Sequence, residues 1–448
     1  MKTRTILSRR ELLRRGLRVA TTVGAAAGFG HLGRMSALAQ SSGSNYKALV
    51  CVFLFGGNDS NNMVIPVTGA NATNYTQGRG SLALSNPLAL GDSGYGLHPN
   101  MTALANLYKS GVLAVQANVG TLVQPMTRSE YTTGSVKAPS NLFSHADQQQ
   151  EWQTAAPLEN ITTGWGGRIS DLTTATSSSG FPVSVSVAGN STLLAGQTTS
   201  QATVSGDGFG LLGEDGSAAT TARDAALQQL FKLDSGVTLL QSANGTLQNA
   251  IEVANLVNSA ASSSALPVTF PSTSIGNQLA EVTQLIRART QLGAQRQIFF
   301  TSLGGFDTHT SQLSLQATLL QQLSDAMAAF YTAMSDSSIA AANQVTVFTE
   351  SEFSRTFQPN TNGGTDHAWG SHHLILGGGV NGGVYGSFPS LVAGGDSDAE
   401  GRGNWIPTTS LDQYGATFAN WFGVSQSNLT TVFPNLVNFS GQQTLGFL

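Results

Sequence analysis

Five apolar runs along the sequence predict buried β-strands. The first, residues 48–55, reads ALVCVFLF without a polar break, as expected of a central parallel strand covered on both faces. Four further runs of this kind lie at residues 112–119, 297–303, 345–349 and 374–376. Together they predict one sheet of mainly parallel strands.

Between these runs, apolar residues recur at helical spacing. The clearest case predicts a helix of about 25 residues near positions 313–334, for which Thr310 and Ser311 are capping candidates. Its apolar face would consist of Leu313, Leu320, Leu323, Met327, Phe330 and Met334. Residues 221–293 also show helical patterning. Strands that alternate with helices indicate an α/β fold, here a doubly wound, mostly parallel sheet with helices on both faces.

The region 162–219 has a different composition, rich in Gly, Ser and Thr. Within it, residues 182–187 (PVSVSV) alternate as a half-exposed strand would. We therefore predict an insertion or surface substructure at 162–219 within one domain that spans residues 40–448.

The first 39 residues resemble an export signal. They carry the pair Arg9-Arg10, a weakly apolar stretch at 19–32 and a small-x-small cleavage site at Ala37-Leu38-Ala39. The stretch is too polar for a good membrane anchor. We predict a twin-arginine signal peptide at residues 1–39 and a periplasmic or secreted protein, the alternative being a disordered basic tail.

The charge balance argues against two classes of partner. Eight of the 21 basic and one of the 25 acidic residues lie in positions 1–39, which leaves 13 basic and 24 acidic groups and a formal charge near −11. Such a protein is a poor candidate for binding nucleic acid or anionic lipid through net charge. The single cysteine, Cys51, excludes an internal disulfide, and its apolar strand predicts a buried, inert thiol.

The histidines are clustered, although only 10% of the residues are charged. Five of the six histidines beyond residue 39 fall in three short polar stretches, at 144–147, 307–309 and 366–373. These stretches lie beside the predicted strands, where α/β enzymes build their sites. The clustering therefore indicates a functional site.

Two stretches follow apolar strands through a Gly-Gly pair and then reach an acid. Asp59 after the first strand is either a carboxylate ligand for a cation or part of an Asx-rich turn. Asp307 and His309 are separated by one residue and suit zinc or a similar ion, the alternative being a helix N-terminus. The repeated arrangement favours function.

Glu352 and Arg355 follow the strand at 345–349 and suggest a metal ligand with an anion-binding group, or else a salt bridge. Asp366 and His367 form the densest ligand stretch and are predicted to bind metal. His372 and His373 follow them.

Adjacent residues in an extended segment point opposite ways, so at most one of His372 and His373 would face the site. Ser144, followed by His145, should begin a helix, where a hydroxyl can be a nucleophile or an ordinary N-cap.

In order, the motifs GGND, GFDTH, SEF-x-R and GTDH, followed by LGGGVNGG behind the leader, resemble the exported bacterial family called domain of unknown function 1501. That family is similar in outline to the alkaline phosphatase and sulfatase superfamily. The resemblance implies an alkaline phosphatase-like fold and one or two divalent ions (Zn, Ca, Mg or Mn) around a Ser or Thr nucleophile.

By position, the resemblance implies metal ligands at Asp59, Asp307, His309 and His367, with Glu352 in place of an aspartate. Ser144, or else Thr127, would be the nucleophile, and Arg355 or His145 would stabilise the departing oxyanion. Where the superfamily usually has Asp-His, this chain has Glu352-Phe353. A site with one ion, or with none, is therefore compatible with the sequence.

Two functions are compatible with these residues. The first is an exported, metal-dependent hydrolase of phosphate or sulfate esters. The second is a non-catalytic envelope protein that uses a degenerate site to bind a polymer or a protein. For this second function, the resemblance suggests partners from the family called domain of unknown function 1800. The retained acids and histidines favour the hydrolase.

Overall fold

A mostly parallel sheet of nine strands forms the centre of the protein. The computed structural model describes residues 46–159, 161–173, 181–204, 217–231, 265–439 and 441–448, together with residues 248, 251 and 254. In the described chain the sheet order is β11-β5-β10-β9-β1-β8-β6-β7, and β12 also pairs with β5. A small antiparallel sheet, β2-β4-β3, stands apart from it.

The strands have the following bounds: β1 Lys47–Phe55, β2 Val64–Pro66, β3 Leu88–Ala89, β4 Tyr95–Leu97, β5 Leu113–Gly120, β6 Ser184–Ser186, β7 Ala202–Thr203, β8 Arg296–Gly304, β9 Val345–Glu350, β10 Ser371–Leu376, β11 Gly383–Tyr385 and β12 Thr409–Ser410.

The described α-helices are α1 Ser60–Met63, α2 Gly69–Arg79, α3 Thr102–Lys109, α4 Arg128–Thr133, α5 His145–Thr154, α6 Trp165–Thr173, α7 Ala218–Phe231, α8 Ser274–Arg287, α9 Gln312–Ser335, α10 Leu411–Phe422 and α11 Leu429–Val432. Short 3-10 helices lie at Gly80–Leu82, Thr192–Leu194, Ala342–Gln344, Gln426–Asn428 and Pro434–Asn438.

Strand β1 is covered on both faces, which explains its unbroken apolar sequence. Val50 and Val52 pack in one apolar cluster with residues of α3, α8 and α9. Cys51 and Phe53 pack in the opposite cluster with residues of α6, α10 and α11. All four side chains are fully buried. The predicted α/β class, with helices on both faces of the sheet, is confirmed.

One strand runs against the others. Strand β10 is antiparallel to both β5 and β9, whereas β1, β8, β9, β6 and β7 pair in parallel. The strand predicted at 374–376 therefore exists, but its expected parallel direction is wrong. The amino end of β10 lies at the same edge of the sheet as the carboxyl ends of the parallel strands.

Three local expectations are corrected. Strand β6 is buried rather than half-exposed, because both of its faces are covered: Val185 packs in the first apolar cluster, and the Ser184 hydroxyl lies 2.7 Å from that of Ser170 on α6. In α9, Leu313 is 38% exposed and does not belong to the apolar face. Ser311 precedes α9 in a left-handed conformation, and its side chain makes no capping hydrogen bond.

The predicted leader at 1–39 lies outside the described residues. The described part of region 162–219 contributes α6, β6 and β7 to the fold, and its status as an insertion stays a prediction. Among the helices of the described chain, none has both the length and the apolar character needed to cross a membrane.

Buried acids make the stability of this fold sensitive to pH. Asp412, in the first turn of α10, is 1% exposed, and one carboxylate oxygen accepts a 3.1 Å hydrogen bond from the Asn435 N–H. Burial raises the pKa of Asp412 from 3.8 to about 8. Between these pH values the folded protein holds a proton on this group that the unfolded chain has lost.

We predict that Asp412→Asn flattens the pH dependence of folding. Because the unfolded state binds fewer protons at Asp412, the free energy of unfolding falls with rising pH between about 4 and 8, by up to about 1.4 kcal/mol per pH unit. Urea unfolding from pH 5 to 8 should show this slope reduced in the variant. The exposed control Asp92→Asn should follow the wild type, and parallel curves for Asp412→Asn would contradict the prediction.

Candidate metal centre

Four chain segments meet at the carboxyl edge of the sheet. The loops after β1, β8 and β9 converge there with the segment that precedes β10, because β10 runs in the opposite direction. Gly56 permits the closest approach: it has a φ of +113°, and a Cβ there would lie 2.3 Å from the Asp307 nitrogen. Helix α5 adds its first residue, His145, to the same place.

His145, Asp307 and His367 form a cluster that could hold a metal ion. Each offers one ligand atom, and these atoms all lie within 4.8 Å of one another. The Asp307 carboxylate is 3.6 Å from His145 Nε2 and 3.3 Å from His367 Nε2. Residues on α5, after β8 and before β10 are thus brought together by the fold.

A fourth side chain, His309, reaches the same point. Its Nε2 lies 3.0 Å from the Asp307 Oδ1 and 3.1 Å from the Nε2 of His367. Two imidazole nitrogens bound to one tetrahedral ion at 2.0–2.1 Å would be about 3.3 Å apart. The observed spacing is close to that value and is also a hydrogen-bond distance, and His309 lies beside the three-residue group rather than within it.

The Nδ1 atom of His145 faces a carboxylate that fixes the ring. Glu352 is fully buried, and its Oε1 lies 2.9 Å from His145 Nδ1 while also accepting from the Gly56 N–H at 2.8 Å. In the tautomer that carries its proton on Nδ1, His145 donates to the Glu352 carboxylate, and the neutral ring then presents its Nε2 lone pair toward Asp307.

The other two imidazoles are held in the same way. His309 Nδ1 lies 3.3 Å from the Asp366 Oδ1, and His367 Nδ1 lies 2.7 Å from the Phe143 carbonyl oxygen. Both partners are acceptors, so each Nδ1 donates. Metal-binding histidines almost always have such a partner behind them, which fixes the tautomer and raises the basicity of the ligand nitrogen.

The cluster therefore has an excess of acceptors. The Nε2 atoms of His145 and His367 lie with the Asp307 carboxylate, and the Nε2 of His309 lies beside them, so a positive charge between these groups would be stabilised. Imidazole and carboxylate are the ligands of zinc in open, catalytic sites. The residues present thus fit a divalent metal ion.

The charges around the cluster hold Asp307 ionised. Although burial alone would raise it, the Arg355 guanidinium lowers the pKa of Asp307 below its usual value, with a further contribution from His309. The hydrogen bond to Glu352 raises the pKa of His145. Burial lowers the pKa of His367, which favours its neutral, ligating form.

Arg355 has a different place from the one predicted. It is fully buried and donates to the Gly56 carbonyl at 2.9 Å, to Asp307 at 3.0 Å and to both the hydroxyl and the carbonyl of Thr365. Its guanidinium N–H groups are therefore engaged by acceptors within the protein. The expectation that Arg355 binds a substrate oxyanion is not supported by this geometry, and we assign it to positioning Asp307.

Asp59 lies outside the cluster. Its buried carboxylate pairs with the equally buried Arg79 and accepts from the side chain of Gln312 and from the Asn61 N–H. The predicted role as first metal ligand is therefore not the one that the structure shows.

Asp59 instead anchors a hydrogen-bonded chain to the cluster. Gln312 donates to Asp59 and accepts from Thr365, whose hydroxyl in turn accepts from Arg355 at 3.0 Å. The chain thus ends at the guanidinium that holds Asp307.

Two other predicted ligands lie one layer behind the cluster. Glu352 contacts Nδ1 of His145, and Asp366 contacts Nδ1 of His309 while pairing with Arg402 at 2.5 Å. Both acids therefore orient an imidazole, and neither is among the three residues that share the candidate site.

Ser144 and Thr127 are both N-caps. The hydroxyl of Ser144 accepts a long, 3.4 Å hydrogen bond from the Asp147 N–H at the start of α5, immediately before His145. Thr127 forms a capping box with Glu130 in an exposed helix. Ser144 is thus the better placed of the two, and its role as nucleophile stays a prediction.

His372 and His373 lie within β10, and neither belongs to the cluster. Both are buried, and burial lowers the pKa of each to about 3. His372 accepts from the Asn118 N–H, whereas the His373 ring packs near Trp152. Both side chains are therefore enclosed within the sheet and its packing, and neither is among the residues of the candidate site.

A cleft of about 320 Å³ lies beside His309 and His367. It is lined by Phe143, Thr356, Asp366, Glu400, Arg402 and Asn404 as well as by these two histidines. The sequence reasoning missed Arg402, whose one available signal was its position between Gly401 and Gly403. It also missed Arg79 and Gln312, which carry no motif.

The fold and this cluster define an α/β protein with a candidate metal centre at the carboxyl edge of its sheet. The chain belongs to the protein family of unknown function DUF1501, whose profile matches residues 46–398. The resemblance noted from the motifs is thereby confirmed. No curated protein sequence matches the chain.

Solved structures with some likeness include three bacterial proteins. One is the C-terminal periplasmic domain of EptC from Escherichia coli in complex with Zn, at 11% identity and a TM-score of 0.35 over 87% of this chain and 85% of that one. The lipoteichoic acid synthase LtaP from Listeria monocytogenes has 9% identity and a TM-score of 0.32 over 83% and 77%.

The third is a phosphonate monoester hydrolase from Agrobacterium radiobacter, at 8% identity and a TM-score of 0.32 over 85% of this chain and 74% of that one. The function of the present chain is therefore argued from its own side chains.

We predict that Glu352 sets the protonation of His145. In the metal-free protein, His145 should titrate above 6.5 and His367 below it, because Glu352 stabilises one imidazolium and burial disfavours the other. Glu352→Gln should lower the pKa of His145. Imidazole NMR signals followed from pH 5 to 8 measure both values.

His98, whose pKa burial lowers to about 4, serves as an internal control that should not move. A pKa of His145 that is the same in Glu352→Gln and wild type would contradict the assigned hydrogen bond.

Proposed function

We propose that this protein is an exported, metal-dependent hydrolase of phosphate or sulfate esters. The observation that carries the proposal is the grouping of His145, Asp307 and His367, whose ligand atoms all lie within 4.8 Å of one another, with the Nε2 of His309 beside them at 3.0 Å from the Asp307 carboxylate. We propose that these three imidazoles and one acid supply the donors of a single divalent ion. Zinc suits this nitrogen-rich set better than calcium or magnesium, which prefer oxygen.

When bound, such an ion supplies a Lewis acid that stabilises the charge developing during ester hydrolysis. The residues of the chain prepare that position. Glu352 and Asp366 hold two imidazoles in the ligating orientation, and Arg355 keeps Asp307 ionised and in place. The 47% exposure of the Asp307 side chain leaves the centre accessible to a substrate.

Ser144 is the candidate nucleophile because it directly precedes His145 at the amino end of α5. Its hydroxyl oxygen would form a bond to phosphorus or sulfur while the ester oxygen departs as the alcohol, taking the hydroxyl proton. Water would then hydrolyse the Ser144 ester and regenerate the hydroxyl. The weak 3.4 Å capping bond leaves the hydroxyl able to react.

Export through the twin-arginine pathway is part of the proposal and rests on the Arg9-Arg10 pair and the leader composition. Proteins on this route cross the membrane already folded. Metal loading before export is compatible with such a route.

The first prediction of this proposal concerns the metal. Protein isolated after export should contain one zinc ion per chain, and His367→Ala should weaken zinc binding by at least about a hundredfold because it removes a ligand. Elemental analysis and competition with a zinc chelator measure these quantities. The matched control is His98→Gln, since His98 is a buried histidine whose Nδ1 accepts from the Asn100 N–H.

Two outcomes would count against a metal centre. One is a wild-type protein without any divalent metal that also takes up none when zinc, manganese or calcium is added. The other is equal zinc affinity in wild type and His367→Ala.

The second prediction concerns the nucleophile. Ser144→Asn keeps an N-cap residue, whereas Ser144→Ala removes both the cap and the hydroxyl. If Ser144 attacks the ester, both variants should lose kcat by at least about a thousandfold on aryl phosphate or aryl sulfate esters. Only Ser144→Ala should lose stability, by about 1 kcal/mol.

If Ser144→Asn retained activity, Ser144 would act only as the N-cap of α5 and not as the nucleophile. Turnover of no phosphate or sulfate ester by metal-loaded wild type would favour the non-catalytic alternative, in which the centre binds a polymer or a partner protein.

A further inference from the structure

Arg402 is the one lysine or arginine among the residues that line the cleft beside the metal centre. Its side chain is 43% exposed. Of its donors, the described residues engage Nη1, which lies 2.5 Å from the Asp366 Oδ2. A guanidinium carries five N–H groups, so Arg402, which lines the cleft, keeps N–H groups that make no hydrogen bond with the described residues.

The other two arginines near the site differ in this respect. Arg355 is fully buried, and its N–H groups are directed at Asp307 and at backbone and hydroxyl oxygens. Arg79 is equally buried and pairs with Asp59. Neither can reach a ligand in the cleft, which leaves Arg402 as the cation available to one.

Arg402 is also tied to the cluster through one carboxylate. Asp366 accepts from Arg402 on Oδ2 and lies 3.3 Å from His309 on Oδ1. Because His309 and His367 line the same cleft, an anion held there by the guanidinium would lie beside these two imidazoles. Of the other lining residues, Asn404 and Thr356 donate to the backbone carbonyls of His367 and Gln358, and Glu400 offers only acceptor oxygens, so Arg402 is the group in this cleft suited to an anion.

We propose that Arg402 recognises the anionic group of the substrate, an inference that rests on the proposed hydrolase function. Guanidinium binds two oxygens of a phosphate or sulfate group in a planar, bidentate manner. The substrate class is accordingly an ester whose phosphoryl or sulfuryl group keeps at least two unesterified oxygens. Arg402 is a specificity-determining residue, and Asp366 both orients it and orients His309.

Binding of inorganic anions tests this role without turnover. Zinc-loaded full-length protein is titrated with inorganic phosphate and, separately, inorganic sulfate in a calorimeter. Arg402→Gln should weaken the binding of the recognised anion at least tenfold, and Arg402→Lys should have an intermediate effect because a point charge replaces the fork. Zinc content should stay that of wild type in both variants.

Two controls separate anion recognition from structural support. Asp366→Asn should lower zinc affinity about 10- to 100-fold through His309 and, since Asp366 also orients Arg402, should weaken anion binding as well, whereas Arg402→Gln should weaken anion binding alone. Lys109→Gln removes an exposed positive charge at the opposite edge of the sheet and should change neither quantity.

Wild-type anion affinity in Arg402→Gln would overturn the inference, as would loss of zinc in that variant. Zinc-loaded wild type that binds neither phosphate nor sulfate would overturn it too, while leaving the metal centre in place. Wild type that binds no zinc would instead be a failure of the proposed function itself.

Discussion

The arrangement of the site depends on the acceptors behind its imidazoles. Glu352, Asp366 and the Phe143 carbonyl each lie at hydrogen-bond distance from one Nδ1, so three Nε2 lone pairs face Asp307. If any of these acceptors were lost, its ring could turn or adopt the other tautomer, and the convergence would be incomplete. The buried Arg355 meets a related requirement, because its guanidinium donates to Asp307 and keeps that carboxylate ionised beside the imidazole nitrogens.

The fold meets this requirement by reversing one strand. Since β10 is antiparallel to its neighbours, the chain enters it from the carboxyl edge of the sheet and brings Asp366 and His367 there. Loops that follow β8 and β9 supply Asp307 and Arg355 to the same edge. The candidate metal centre and the cleft beside it thus lie at this edge because of strand direction, and Arg402 lines the same cleft.

The sequence predicts the sheet well because strands buried on both faces are mostly apolar, as in residues 48–55, which are apolar throughout, and 345–349, which add two threonines. The apolar content of a strand does not indicate its direction, so the sequence did not predict that β10 is antiparallel to its neighbours. The histidine stretches pointed to the right region, since polar residues beside strand ends meet in space. The role of each acid was not predictable from the sequence, because Asp59 pairs with Arg79 through tertiary contacts. Arg402 was not predicted either, because no motif surrounds it.

The proposed centre has three imidazoles and one carboxylate around a single ion. X-ray absorption at the zinc edge of loaded protein measures this ligand set, because scattering from imidazole rings is distinct from that of isolated oxygen ligands. We expect three imidazole nitrogens and one or more oxygens at about 2.0–2.2 Å, and two imidazoles in His309→Ala. A shell made of oxygen alone, or an unchanged imidazole count in that variant, would contradict it.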